Sequence, residues 1–529
     1  MAKGGTARGN DFDVIIIGGG PGGLAVGSLL AREGIRTAII EKDPVVGGRY
    51  RSIDFHGCRV DCAVHFLVTL FGSPEKSYTY KLFTHLGLPL EYKLVQWPIA
   101  LVSKETPGQL STFAMDLKLG VDNFYQFFAF ATGMQMDDSV KKELMKLAAI
   151  TSDMSEDECR QVTNVCFADW IDKNIEDPMA KAVLYGMEPV VGAPIKDMSF
   201  GFIANAWSAF PRVGGVQTWY PKHGTLEDAI ITPLATYITE HGGKLITHST
   251  ARSIVVEDGK VQGVVVHDEH KRFMLEEFTA PVVVCAMPIF DAVSHHILGS
   301  DLLTDDWLEA IRLIGSRAVH DLSGFYLLRK DVLPRKGHGW IHIFDVDYGL
   351  PTYVGDWALG SFTNATEPPG KQLVCSYISG SSELAHFGLT APMEKVRQAN
   401  KMFKDAMEKA FPGFKKAIEY EGLNVQLSHG RYAYGPVPVE VNIQSPNIQG
   451  LYFAGDSVWN VGQPASEKVF QIAFPLCERI VKQLRFLKQL SSISKSTQTR
   501  TSATKSAGAR GGKHAQTSKS KPVPGRGKR

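Results

Sequence analysis

Apolar residues along the chain follow three textures, and each predicts a different kind of structure. The first is a short unbroken apolar run, seen at Val14–Ile17, Thr37–Ile40, Pro281–Ala286 and Leu451–Ala454. Runs of this length mark parallel strands buried on both faces. Leu24–Arg32 carries helix-forming residues and stops at Gly34, so Phe12–Glu41 reads as strand, helix, strand. The second texture is helical. Tyr78–Leu86, Val140–Ile150, Phe167–Asn174, Pro178–Met187, Ser199–Ala209, Leu226–His241 and Asp301–Arg312 have this period, and Met393–Phe411 is an amphipathic helix closed by Pro412-Gly413. Gly120–Met136 is a further helix, crowded with Phe124, Tyr125, Phe127, Phe128 and Phe130. The third texture is alternation. Ala318–Leu328, Gly339–Val346, Tyr353–Trp357, Gln372–Ser379 and Ile418–Leu427 read as strands of an antiparallel sheet. Ile53–Asp61 folds back at His56-Gly57, and Ala251–Glu257 with Lys260–His267 forms a hairpin around Asp258-Gly259. The fold class is therefore α/β. A Rossmann-like domain is assembled from separated segments, beside an α+β domain that contains an antiparallel sheet.

The turns between these elements carry the candidate chemistry. Gly18, Gly20 and Gly23 follow the first strand as G-x-G-x-x-G, and Glu41 closes the second strand 18 residues after Gly23. Gly18 permits the tight turn, Gly20 lets backbone approach a pyrophosphate, and Gly23 lets the helix pack on the sheet with its positive end toward the phosphates. A carboxylate at the second strand's end accepts from ribose hydroxyls. The strand before, the helix after and the acid beyond together make this a dinucleotide site rather than a chance glycine turn. Gly47-Gly48 forms a second glycine turn, and Arg49 behind it offers a forked donor to a phosphate or a ring edge. Near the C-terminus, Gly455 allows close approach, and Asp456 can bind a hydroxyl or amide group. His65 lies in V-D-C-A-V-H-F-L, where a core position competes with a role near the cofactor ring. Arg431, Tyr432 and Tyr434 share an irregular loop that either holds a ligand or braces itself.

Charge and cysteine content narrow the setting. From Lys488 onward there are 11 Lys/Arg and no Asp/Glu, leaving 46 basic against 55 acidic residues before it, a net of −9. A mildly acidic body does not suggest a nucleic-acid enzyme. The Ser/Thr/Lys/Gly-rich tail cannot bury a core and is expected to be disordered. The seven cysteines are odd in number and form no C-x-x-C, so neither a disulfide framework nor a zinc site is expected, and no metal. Cys58 and Cys62 read as ordinary thiols rather than redox partners. No apolar leader precedes the first strand and no 18-residue apolar stretch occurs, which points to a cytoplasmic protein. The aromatic 124–130 stretch and the basic tail are candidates for peripheral membrane contact, against core packing and a solubilising tail.

Four stretches occur in one order: the glycine fingerprint with Glu41, the Gly47-Gly48-Arg49 turn, the Gly214–Thr225 turn into a helix, and L-Y-F-A-G-D with its helix. This order resembles the FAD-dependent oxidoreductases of the phytoene desaturase and amine oxidase superfamily, and within it the bacterial-type carotenoid desaturase and retinol saturase branch. The resemblance implies FAD as the tight cofactor. By carry-over, Gly18, Gly20 and Gly23 hold the diphosphate and Glu41 the adenosine ribose. Gly48 and Arg49 lie against the phosphate and flavin, and backbone around Arg252 meets the adenine. Gly455 and Asp456 meet the diphosphate and ribityl chain, and the helix start near Gln463 faces the ring. The implied FAD-binding domain comprises residues 12–70, 214–290 and 446–487. The substrate-binding domain comprises 71–213 and 291–445, with a disordered terminus at 1–11 and a basic tail at 488–529.

The chain departs from the desaturase pattern at Tyr220–Gly224, where His223 stands in a normally glycine-rich stretch, and at Trp459–Pro464, where Trp459 and Gln463 narrow the site. Both departures weigh against a long polyene. The expected activity is oxidation, reduction or isomerisation at a C–C bond of a small apolar, isoprenoid-like substrate, with His65, His223 and Tyr432 as candidate acid/base groups. Two other readings stand beside it. One is a flavin amine oxidase, with Trp459 and Tyr432 as an aromatic cage. The other is a prenyl-binding escort protein without flavin, against which the intact glycines, Glu41 and Asp456 argue.

Overall fold

In the computed structural model, the described residues are 11–69, 73–94, 98–102, 111–114, 137–185, 195–213, 217–270, 274–317, 319–335, 340–345, 352–360, 363–378, 393–428, 435–459 and 465–508. The four apolar runs become β1 (Val14–Ile17), β2 (Thr37–Ile40), β4 (Val283–Cys285) and β5 (Leu451–Phe453), and Lys244–Ile246 adds β3. They pair in the order 3-2-1-4-5, parallel throughout. All residues of β1, β2, β4 and β5 are buried, as the unbroken apolar runs require. The strands come from three distant stretches of chain. Helix α1 (Pro21–Arg32) joins β1 to β2. The order reverses between β1 and β4, and in open parallel sheets ligands bind at the carboxyl ends of the strands flanking such a reversal.

A seven-stranded sheet forms the second body of structure. Its order is Ile418–Ser428, Val319–Leu328, Gln372–Ile378, Thr352–Leu359, Trp340–Asp345, Pro98–Val102, Ser111–Ala114. All neighbours are antiparallel except Trp340–Asp345 with Pro98–Val102. Helix Met393–Ala410 shares a core with it, in which Tyr326 stacks on Phe403 at 5.4 Å and meets Phe414 edge-on at 5.7 Å. Two elements depart from expectation. Gln217–Pro221 is a central strand between Leu67–Thr69 and Tyr92–Leu94, not merely a lead into a helix. The helix expected over Leu226–His241 opens as a π-helical turn, Glu227–Ile231, before the α-helix Thr232–Glu240. Pro233 lacks the N–H that would continue the α ladder there.

Both two-residue hairpins have the required backbone. His56 and Gly57 take φ of 47° and 84°, and Asp258 and Gly259 take 48° and 69°, the paired positive angles of a type I′ turn. The C-terminal helix is longer than expected, running Ala465–Gly508. No Gly or Pro occurs between Pro475 and Gly508 to stop it. Residues 1–478 form one unit and 479–529 a second. The expected aromatic helix Gly120–Met136 and residues 509–529 lie outside the described residues.

One cap is supplied from afar. Helix Tyr78–Leu86 has its own N-cap, Ser77, which accepts from the Tyr80 N–H. Glu467, 388 residues away from Thr79, accepts from the Tyr78 N–H at 2.7 Å, the Thr79 N–H at 3.2 Å and the Thr79 hydroxyl at 2.6 Å. Three N–H groups at the helix start are thus satisfied by two side chains from opposite ends of the sequence. Replacing Glu467 by Ala strands two of them in a buried place. Thermal and denaturant unfolding should show a loss of about 1–3 kcal/mol, and an unchanged midpoint would rule the cap out.

Candidate functional site

The glycine fingerprint behaves as its spacing demands. Gly18 turns out of β1 at φ 106°, beside Ala286 at the end of β4, whose N–H bonds the Ile17 carbonyl at 2.8 Å. A Cβ on Gly23 would overlap the Gly18 carbonyl oxygen, so α1 lies as close to the strand as a helix can. A Cβ on Gly20 would meet nothing within 4 Å. Gly20 is also the N-cap of α1 and offers no side-chain cap. The helix start is therefore an open cradle with its positive end toward it.

Two further turns close on this one by main-chain contact. The Gly47 N–H donates to the Gly19 carbonyl at 2.7 Å, and a Cβ on Gly48 would lie 3.2 Å from the Gly20 Cα. A Cβ on Gly22 would lie 3.3 Å from the Gly455 Cα. Gly455 itself takes φ 109°. Arg49, in the 3₁₀ turn Gly48–Tyr50, donates to the Asp456 carboxylate at 2.5 Å, an ion pair joining positions 407 residues apart. Gly18, Gly20, Gly23, Gly48, Arg49, Gly455 and Asp456 are thus brought to one place. Glu41 is buried beside them. One of its oxygens accepts from the Gly19 N–H at 2.7 Å and the other from the Asp43 N–H at 2.9 Å. The acid braces the glycine turn and keeps further lone pairs for a ribose. Open space at Gly20, an uncapped helix start, a guanidinium and two carboxylates together fit a dinucleotide with a diphosphate and hydroxyl-bearing chains.

The structure does not bring every predicted residue there. Arg252 is the extra residue of a bulge between Ala251 and Ser253, and its exposed guanidinium lies 3.3 Å from His267 Nδ1. What this position offers a ligand is main chain, re-aimed by the bulge. His223 has a side chain 75% exposed beside Glu91, at 3.8 Å. A solvated surface ring is not placed for dry proton transfer, so the acid/base expectation for His223 is corrected. Tyr432 and Gln463 lie outside the described residues. His65 is buried, and burial pushes its imidazole down to about 4, so it is neutral at pH 7. Its segment is tied to the cofactor-side turn, the Val64 N–H donating to the Arg49 carbonyl at 3.4 Å. Its ring faces the large sheet, with Nε2 at 3.5 Å from the Ser323 hydroxyl and Tyr377 edge-on at 6.1 Å. Cys58 and Cys62 are both buried, and burial pushes the Cys58 thiol up to about 11, away from thiolate chemistry.

Sequence reasoning missed several buried ionisable groups. Asp61 accepts from the Leu226 N–H at 2.9 Å and meets the Tyr220 hydroxyl, which lies 2.9 Å from the Thr363 carbonyl. Burial pushes Asp61 up to about 7. The Tyr220 hydroxyl is the donor shared between the Asp61 carboxyl and the Thr363 carbonyl. Glu467 is likewise pushed up to about 7 by burial, and Lys468 down to about 7. The signal for Lys468 was legible: a lysine in a helix's first turn stands against the helix dipole. Nothing local marked the others, whose partners are more than 100 residues away.

The sequence comparisons agree with this geometry. Residues 16–85 match a family described as an NAD(P)-binding Rossmann-like domain. The chain is 24% identical over 279 residues to a 4,4'-diapophytoene desaturase from Methylomonas sp, covering 48% of this chain and 50% of that one. It is 21% identical over 317 residues to the all-trans-retinol 13,14-reductase of Homo sapiens, covering 55% and 49%. The chain spans about half the length of these two relatives. A prolycopene isomerase from Daucus carota matches more widely, 22% identical over 512 residues, 86% of this chain and 77% of that one. Among solved structures, cyclohexylamine oxidase from Brevibacterium oxydans superposes with a TM-score of 0.58 at 16% identity, covering 90% of this chain and 100% of that one. The resemblance to the desaturase and amine oxidase superfamily is borne out. Among the described residues, no helix is long and apolar enough to cross a membrane, and no cluster of side chains forms a metal site.

Two outcomes follow from the site. Gly20→Ala should fold with an unchanged melting temperature, because its Cβ has room, yet lose at least about tenfold in dinucleotide affinity by filling the cradle. Gly23→Ala should instead fail to fold. Equal dinucleotide affinity in Gly20→Ala and wild type, by titration, would place the diphosphate elsewhere. For His65 the folded value lies below the ordinary 6.5, so its contribution is present above pH 6.5 and is lost as pH falls toward 4. Relative to His65→Gln, wild type should lose about 3 kcal/mol of stability over that window. Parallel acid unfolding curves for the two proteins would show that His65 titrates normally.

Proposed function

We propose that the chain is an FAD-dependent oxidoreductase acting on a C–C bond of an apolar, isoprenoid-like substrate. The observation that carries this reading is the closing of three glycine turns, from residues 18–23, 47–48 and 455, around one open helix start. Bound FAD supplies the hydride and electron chemistry. The rest falls to this chain's own groups. The start of α1 binds the diphosphate, Glu41 accepts from the adenosine ribose, and Arg49 with Asp456 orients the phosphate and ribityl portion. Main chain at Arg252 faces the adenine.

His65 is the preferred group for holding a proton at the reacting carbon. It is buried and neutral, and its Nε2 hydrogen bond to Ser323 fixes the ring between the Arg49 turn and the large sheet. Tyr432 is kept as a second candidate. The seven-stranded sheet with its helices is the substrate side, a dry surface suited to an apolar molecule. Similarity to a desaturase, a reductase and an isomerase supports chemistry at a C–C bond and leaves its direction open.

The test is to record the absorbance of the purified protein and then follow anaerobic bleaching of its flavin. The panel comprises retinoids, polyenes, unsaturated isoprenoid lipids and amines. Bleaching by an apolar alkene, or reoxidation of prereduced flavin by one, is expected. Bleaching by amines alone would replace this reading with an amine oxidase, and a colourless protein that takes up no FAD would end it.

A further inference from the structure

The C-terminal helix begins at Ala465, and its fourth residue, Lys468, is completely buried. That placement is doubly costly. A cation in the first turn opposes the helix dipole, and a buried ammonium forfeits its hydration. The neighbouring Glu467 does not compensate it, since its carboxylate is engaged with Tyr78 and Thr79. Lys468 is instead spent on one short turn. Its ammonium donates to the main-chain carbonyl of Trp459 and lies 3.5 Å from that of Asp456.

That turn needs holding. Trp459 sits at φ 57°, a left-handed conformation disfavoured for a large side chain. The Trp459 N–H donates to the Val441 carbonyl at 2.9 Å, and the Arg160 guanidinium lies over its ring at 4.8 Å. Arg160 is itself paired with Glu440 at 2.5 Å and Glu156 at 2.6 Å. At its other end the same turn carries Asp456, bound to Arg49. Four separate parts of the chain therefore converge on the four residues Asp456–Trp459, and Lys468 is the group that grips the main chain at both ends.

We propose that Lys468 is a positioning residue of the cofactor site: by donating to the carbonyls of Asp456 and Trp459 it fixes the turn that presents Asp456 to Arg49 and to the hydroxyl-bearing chain of the cofactor. This rests on the reading of the site as a flavin site. Lys468 does not itself touch the cofactor in this role. The charged and titratable groups that face it are Asp456, Glu440 and Arg160; burial pushes its ammonium down to about 7, with Asp456 and Glu440 opposing the shift and Arg160 adding to it. Its grip is full below that value and is lost as the ammonium deprotonates.

The experiment uses the full chain as wild type and as Lys468→Met, each stripped of flavin and titrated with FAD between pH 6 and 9. Wild type should bind FAD and lose affinity as pH rises. Lys468→Met should bind on the order of tenfold more weakly at pH 6, with a flat profile, while the apo protein melts within a few degrees of wild type. Asp61 and Glu467 titrate in the same range but are present in both proteins, so the difference belongs to Lys468. Should Lys468→Met not fold, Lys468→Gln, which keeps a donor without a charge, carries the same comparison. Equal affinity and equal pH profiles in variant and wild type would overturn the proposal while leaving the flavin site intact. Absence of FAD binding in wild type would overturn both.

Discussion

The structure depends on the absence of side-chain volume where three turns meet. Gly23 against Gly18, Gly48 against Gly20 and Gly22 against Gly455 are main-chain approaches that no Cβ would permit without displacement. Segments from the beginning and the end of the chain close on one helix start only because these positions are bare. The Arg49–Asp456 pair then closes the contact electrostatically, in a place where its charges are poorly screened. The parallel sheet, with β5 contributed from over 400 residues after β1, is the scaffold that makes such a meeting possible.

The chain also buries ionisable groups. Asp61, Glu467 and Lys468 are fully buried; Asp61 and Glu467 join elements far apart in sequence, and Lys468 grips the turn just before its own helix. Their energetic roles differ. Burial raises Asp61 and Glu467, so their contribution to stability is greatest at low pH and is lost as pH rises toward about 7. His65 runs the other way and loses its contribution as pH falls. Over the window the three groups share, the two carboxyl slopes oppose the His65 slope and outweigh it. Such groups add geometric specificity more reliably than net stability.

His65 occupies the seam between the two bodies of structure. Its main-chain neighbourhood belongs to the Arg49 turn, and its ring faces Ser323 and Tyr377 of the large sheet. On the proposed function, a ring neutral at pH 7 in that seam is the group that handles the proton at the reacting carbon. The exposed His223 shows the contrast, since solvent already offers there whatever proton the ring could.

Local order was largely legible in the sequence. The apolar runs gave β1, β2, β4 and β5, and the helices Tyr78–Leu86 and Phe167–Asn174 have the boundaries expected of them. The type I′ turns at His56-Gly57 and Asp258-Gly259 were written in residue type, because positive φ is a property of the residue itself. The glycine spacing, Glu41, Arg49 and Asp456 marked the cofactor site for the same reason: each is a local stereochemical or charge requirement. Tertiary structure alone decided which distant segments meet. It made Gln217–Pro221 a central strand, turned Arg252 outward at a bulge, and left His223 in solvent. It also created the Asp61–Tyr220 and Glu467–Thr79 contacts. Burial and partnership are properties of packing, and no window of sequence holds both members of a pair that closes over hundreds of residues.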